Sequence, residues 1–360
     1  MALLALLVMT STLLLCAALV PLTAPLARAM GAIDEPGPRK HHPAPTPRLG
    51  GVAVACSFLA VVLVGFFVAP RLHAFGWPSL QVPLAMLREA PRVTSKLMAV
   101  LAGATLCLLV GILDDVLGPR LPVLAKLGGQ LLAAVVVAAG DVRTSLLPYE
   151  WMNVALTIVW LVGITNAFNL IDNMDGLAAG VAFVASLVFL LNAWLLGELF
   201  IVMLLAAFMG SLAGFLVHNA PPARVFLGDS GSLFIGCAMG SLTLLERYVS
   251  HASSSLFPVL MPVVVLAVPL IDTVMVVAVR LKERRPVYVG DRLHLSHRLV
   301  THGFSPRAAV GFLYLATFFV GLGAVTLAHA DLMVSVLVLV QSLGAVGLML
   351  WLVFQRGGTA

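Results

Sequence analysis

Charge is scarce in this chain. Of its 360 residues only 10% are Asp, Glu, Lys or Arg, while 61% are hydrophobic and the mean hydropathy is +1.07. A soluble domain carries about a quarter charged residues, so a soluble globular protein is excluded and a polytopic membrane protein is indicated. No polar block is long enough to fold alone, so one membrane domain, residues 1–360, accounts for the length. Cysteine is also sparse: Cys16, Cys56, Cys107 and Cys237 form no CxxC pair, so neither a disulfide framework nor a zinc site is indicated. The net charge of +5 would suggest nucleic acid in a soluble protein. Here the basic residues sit in short loops, and membrane topology explains them better than nucleic-acid binding. No basic residue precedes the first apolar run, and that run, from Ala2 to Val20, is long for a signal peptide. The expectation is a retained helix, although Ala27-Arg28-Ala29 mimics a cleavage site.

What the chain has in abundance is apolar runs. A span needs about 20 residues, fewer inside a bundle. Candidate spans cover 3–26, 51–69, 96–113, 124–139, 152–168, 177–196, 198–217, 231–248, 257–281, 307–328 and 331–354. The expected fold is therefore all-α: a polytopic membrane bundle of about eleven transmembrane helices. Alternating sides along these spans puts 15 of the 21 Lys and Arg residues on one face and six on the other. The positive-inside rule makes the first face cytoplasmic, with the N-terminus outside and the C-terminus inside.

The remaining polar residues cluster on that face. Asn166-Ala-Phe-Asn169-Leu-Ile-Asp172-Asn-Met-Asp175-Gly-Leu sits between two apolar runs. Gly111-Ile-Leu-Asp114-Asp115 ends the third span, where the helix macrodipole disfavours carboxylates. Lys126 opens the next span; alone it would be a snorkelling lysine, but beside the aspartate pair it could hold a phosphate. Val225-Phe226-Leu227-Gly228-Asp229-Ser230-Gly231-Ser232 enters the eighth span and fits either a phosphate-binding turn or a simple helix cap. Asp291-Arg-Leu-His294-Leu-Ser-His297-Arg298 lies in the longest basic loop, suited to a diphosphate or to anionic lipid. The Pro-rich loop from Asp34 to Gly51 carries Lys40 and the pair His41-His42, which lacks a third ligand for a transition metal. Asp272 is the one acid expected deep in a span, facing the bundle interior. Five carboxylates on one surface (Asp114, Asp115, Asp172, Asp175 and Asp229) would repel one another strongly unless a cation or a basic substrate neutralised them, and a divalent cation is the economical answer. Oxygen ligands favour Mg²⁺, with Mn²⁺ as the alternative.

In this order the motifs resemble the polyprenyl-phosphate N-acetylhexosamine-1-phosphate transferases, glycosyltransferase family 4. The family includes the undecaprenyl-phosphate GlcNAc-1-phosphate transferases and the phospho-MurNAc-pentapeptide translocases. The match runs through Pro47-Arg-Leu-Gly-Gly, Asp114-Asp115, Asn-x-x-Asn-x-x-Asp-x-x-Asp-Gly-Leu, Gly-Asp-Ser-Gly-Ser and the late His loop. The resemblance implies transfer of a sugar-1-phosphate from a UDP-sugar to undecaprenyl phosphate in the bacterial inner membrane. UMP is released, Mg²⁺ is required, and a homodimer is left open. It also implies Asp229 and Asn169 as metal ligands, and Asp114 and Asp115 as the pair acting on the lipid phosphate. Lys126 would bind phosphate, while Asp175, Asn219 and Phe226 form the nucleotide pocket. His294, His297 and Arg298 would hold the sugar-phosphate region, and Lys40, Asn166 and Asp172 complete the substrate-binding set. Two departures stand out. Ser296 replaces the middle histidine of the GlcNAc-type His-x-His-His-Arg-Leu pattern, and Asn173-Met174 replaces the usual Gly-Leu. The translocase signature is absent as well, which favours a simple N-acetylhexosamine donor over UDP-MurNAc-pentapeptide. The reading from another class, an ion-coupled transporter or lipid flippase, expects charges near mid-span and broken helices.

Overall fold

The computed structural model describes residues 2–36, 44–67, 91–248, 257–284 and 293–354. Its helices are α1 (Ala2–Met30), α2 (Gly50–Phe67), α3 (Pro91–Leu117), α4 (Val123–Ala139) and α5 (Glu150–Ile171). They continue as α6 (Leu177–Leu195), α7 (Leu199–Asn219), α8 (Gly228–Leu245), α9 (Met261–Val265), α10 (Ala267–Lys282), α11 (Leu295–Thr301), α12 (Pro306–Val325) and α13 (Leu332–Phe354). Strands β1 (Ile33–Asp34) and β2 (Thr46–Pro47) pair antiparallel between α1 and α2.

The all-α membrane bundle is borne out, but the count of eleven is not. Among the described residues eight helices are long and apolar enough to cross a membrane, or nine if the bent pair Phe257–Val265 and Ala267–Lys282 is one span. The two remaining predicted segments are helices that fall short of that length and apolarity. α4 has only 17 residues, and α8 begins with the polar turn Gly-Asp-Ser-Gly-Ser. α8 tolerates that turn because it meets protein rather than lipid. Every residue from Ser230 to Thr243 is buried, packed against α3 and α5. Small polar residues are at home on a helix that packs against other helices and not against lipid. Its glycines and serines also let the neighbouring backbones approach closely. α13 shows the opposite pattern, with Leu332, Leu337, Leu343 and Trp351 exposed as a lipid-facing helix requires.

Two proline effects shape the bundle. Pro21 in α1 has no N–H for Ala17 O, and His218 Nε2 at the end of α7 donates to that oxygen at 3.0 Å. Pro269 likewise leaves Val265 O without its helical donor, and the chain bends by 69° between α9 and α10. Helix ends then gather on one side of the bundle. The ends of α3, α5 and α7 meet the starts of α2, α4, α6, α8 and α11 there, the surface on which the sequence motifs were expected.

Candidate functional site

The first turn of α8 is the centre of the site. Gly111 of α3 lies against Asp229 O, and Gly51 of α2 lies against Gly231 N. A Cβ at either glycine would collide with the α8 backbone, so α8 can start only where α2 and α3 offer no side chain. This approach splits the Asp114-Asp115 pair. The Asp115 side chain is fully buried, and its oxygens accept from Asp229 N and Ser230 N, each at 2.9 Å. It is the N-cap of α8, supplied from another helix. Those two amides are therefore committed to Asp115 and not open to a phosphate. Arg48 lies 3.9 Å from Asp115 Oδ1 and 3.7 Å from Asp34 Oδ1, joining the β-hairpin to the same point. Burial acts against the Arg48 charge, but Asp115, Asp229, Asp34 and Asp172 outweigh it and raise its pKa.

Asp114 turns the other way, toward Lys126. The Lys126 ammonium lies 3.1 Å from Asp114 Oδ2 and 3.3 Å from Asn169 Oδ1, and it also contacts Asp229 Oδ2. Asn169 Nδ2 donates to Asp229 Oδ1 at 3.1 Å and to Ser232 Oγ at 2.9 Å. Four helices thus deliver one cation, two carboxylates and a carboxamide to a single point. One turn deeper, Asn166 Nδ2 donates to Gln130 Oε1 at 2.6 Å. Lys126 and Gln130 are four apart on α4 and face Asn169 and Asn166 on α5, so Asn166 is a strut below the cluster.

The loop after α5 forms a second wall. Asp172, just past the end of α5, is pushed up to about 8 by burial and then by the charge of Asp229. Asp175 Oδ2 accepts from Ala223 N at 2.9 Å. Asn219 spans the gap between helices: its Oδ1 accepts from Gly176 N and its Nδ2 donates to Val225 O, both at 2.9 Å. Gly176, at φ +78°, takes a left-handed turn there, and Tyr314 from α12 donates to its carbonyl at 2.6 Å. Phe226 is half-buried and tied by its backbone to Pro47 O and Gly50 N. His294 is buried beside the deep acid: its Nδ1 lies 2.7 Å from Asp272 Oδ2, and Leu295 N donates to Asp272 Oδ1 at 2.7 Å. His297 packs edge-on to His294, with ring centroids 6.3 Å apart. Arg298 is drawn elsewhere, its guanidinium 4.4 Å above the Phe354 ring of α13. Lys40 lies outside the described residues, as do His41 and His42.

The model of "Glycosyl transferase family 4" matches residues 97–246, which hold Asp114, Lys126, Asn169 and Asp229. A probable undecaprenyl-phosphate N-acetylglucosaminyl 1-phosphate transferase of Bacillus subtilis is 32% identical over 89% of this chain and 84% of its own length. The chain belongs to glycosyl transferase family 4. Within the family it is also similar to the decaprenyl-phosphate N-acetylglucosaminephosphotransferase of Mycobacterium leprae, 31% identical over 83% of this chain and 77% of that one. A phospho-N-acetylmuramoyl-pentapeptide-transferase of Halalkalibacterium halodurans is 31% identical over 60% of this chain and 66% of its own length. The protein is a multi-pass membrane phosphosugar transferase.

Membership in the family explains the motifs but not every residue that builds the site. Gln130, Ser232 and Arg48 were absent from the candidate set, although Gln130 stands one helical turn after Lys126. The Asp115 cap carries its own prediction. Asp115→Ala should cost about 1–2 kcal/mol of stability, read as a lower melting temperature of the purified protein. Turnover should fall further than stability does, because the cap fixes the backbone of Asp229. An unchanged melting temperature would show that the α8 amides find another acceptor.

Proposed function

We propose that the chain transfers N-acetylhexosamine-1-phosphate, by preference GlcNAc-1-phosphate, from a UDP-sugar to undecaprenyl phosphate and releases UMP. The observation that carries this reading is the meeting of Lys126 with Asp114, Asn169 and Asp229 where four helices end. The names of the Bacillus and Mycobacterium relatives support a polyprenyl-phosphate acceptor and an N-acetylglucosaminyl group. The product, a lipid-linked diphosphate sugar, would serve cell-envelope polysaccharide synthesis. The distribution of Lys and Arg supports a site on the cytoplasmic side of a bacterial inner membrane.

In the reaction an oxygen of the lipid phosphate attacks the β-phosphorus of the UDP-sugar. The bond from that phosphorus to the bridging oxygen breaks, and UMP leaves with the electron pair. Two anions must meet, so charge neutralisation and positioning matter more than a strong base. Lys126 supplies a positive charge that can follow the phosphates, and Arg48 adds a second at the rim. Asp115 and Ser232 act indirectly, holding Asp229 and Asn169 in place.

The donor set fits Mg²⁺, or Mn²⁺ in its place: carboxylate and carboxamide oxygens with no thiol or imidazole among them. No three His, Cys, Asp or Glu side chains among the described residues stand ready around one ion. The point where Asp114 and Asp229 converge is held by the Lys126 ammonium. Asp229, Asn169 and Asp114 would hold the cation once Lys126 moves to phosphate. When bound, it offsets the charge of the diphosphate and its leaving group.

The transporter reading loses its best candidate, since Asp272 is committed to His294 and to Leu295 N. The test is UMP release from purified protein, undecaprenyl phosphate, Mg²⁺ and a panel of UDP-N-acetylhexosamines. UDP-GlcNAc should be the best donor. A folded protein that releases no UMP with any donor would overturn the proposal.

A further inference from the structure

The loop after α5 and the start of α11 touch through Asn173 and Ser296. Ser296 Oγ lies 2.6 Å from Asn173 Oδ1, although 123 residues separate them. Asn173 Nδ2 donates to Leu170 O at 3.1 Å, which fixes the amide and aims its oxygen at α11. The Ser296 hydroxyl, on a fully buried residue, is then the donor. The start of α11 is thus held at two points. Asp272 holds it from α10 through His294 and the Leu295 amide, and Asn173 holds it from the loop bearing Asp172 and Asp175. Asp175 is occupied by Ala223 N, so Asn173 is the member of that loop that reaches α11.

We infer that Ser296 and Asn173 are a matched positioning pair that sets His294 and His297 against the acid loop for the sugar-nucleotide donor. The inference rests on the proposed transfer reaction. Neither residue touches the Lys126 cluster, so the pair acts on where the donor sits and not on the phosphoryl step. A glycine at 173 offers no side-chain acceptor to the Ser296 hydroxyl.

The experiment is a double-mutant cycle with steady-state UMP release. Ser296→Ala and Asn173→Gly should each raise KM for UDP-GlcNAc about five- to tenfold, the value of one hydrogen bond. In both variants kcat and the KM for undecaprenyl phosphate stay within about twofold of the parent, and the double variant is no worse than either single one. Ser296→Thr keeps the hydroxyl and should keep the parent KM. Asn173→Gly removes the same bond from the loop side, so its donor KM tests the inference even if Ser296→Ala fails to fold. Unchanged donor KM in that variant, or additive effects in the double one, overturns the inference. Amide hydrogen exchange over residues 295–301 gives a readout without turnover, and it should be faster in either single variant. A parent protein that releases no UMP overturns the transfer reading alone, whereas exchange unchanged by both substitutions overturns the pairing.

Discussion

Asp229→Asn should leave a folded protein whose UMP release is slower by at least about a thousandfold, in line with removing a group that stabilises transition-state charge. The fold survives because the backbone N–H of residue 229 still meets Asp115. The chemistry does not survive. Asp229 Oδ1 accepts from Asn169 and Oδ2 from Lys126, so both oxygens are acceptors facing donors. A carboxamide puts an NH₂ against one of those donors and removes a charge from the point where a divalent cation would sit. Residual turnover should therefore need a higher Mg²⁺ concentration than the parent. Near-normal turnover with the parent's Mg²⁺ dependence would show that the ligand set lies elsewhere.

Much of this arrangement was legible in the sequence because it follows from parity. Once apolar segments are counted, Asp114, Lys126, Asn169 and Asp229 must fall on one side, and the structure brings them together. The number of spans was less legible: among the described residues eight or nine helices pass on length and apolarity, while α4 has 17 residues and α8 opens on a polar turn wrapped by protein. The division of labour within Asp114-Asp115 was not legible either. Adjacent carboxylates look equivalent in a sequence, and only the contacts of Gly51 and Gly111 with α8 decide that Asp115 becomes a cap. Asp272 was correctly placed in the interior, but its partner His294 is 22 residues away in a loop that composition alone assigns to lipid or phosphate. The same limit hid Ser296 and Asn173, which looked like separate departures until the fold paired them. Arg298 shows the converse, a motif residue whose guanidinium is taken by an aromatic ring of the last helix.

Lys126→Met tests the cluster from the cationic side and separates its two functions. Methionine keeps much of the apolar stem and deletes the ammonium that Asp114, Asn169 and Asp229 share. Turnover should fall by at least about a hundredfold, because the incoming phosphates lose their mobile counter-charge. Lys126→Arg should not restore it, since a planar guanidinium cannot replace a compact ammonium among three partners. Cation binding should move in the opposite direction. With the ammonium gone, two carboxylates face each other unneutralised, and a divalent cation is the group that relieves them. Mg²⁺ should therefore raise the melting temperature of Lys126→Met more than that of the parent, and that of Asp229→Asn less. Two variants that both lose turnover would then differ in the sign of their metal response. If Lys126→Met also responds less to Mg²⁺ than the parent, the ammonium does not hold the cation's place and the ligand assignment fails with it.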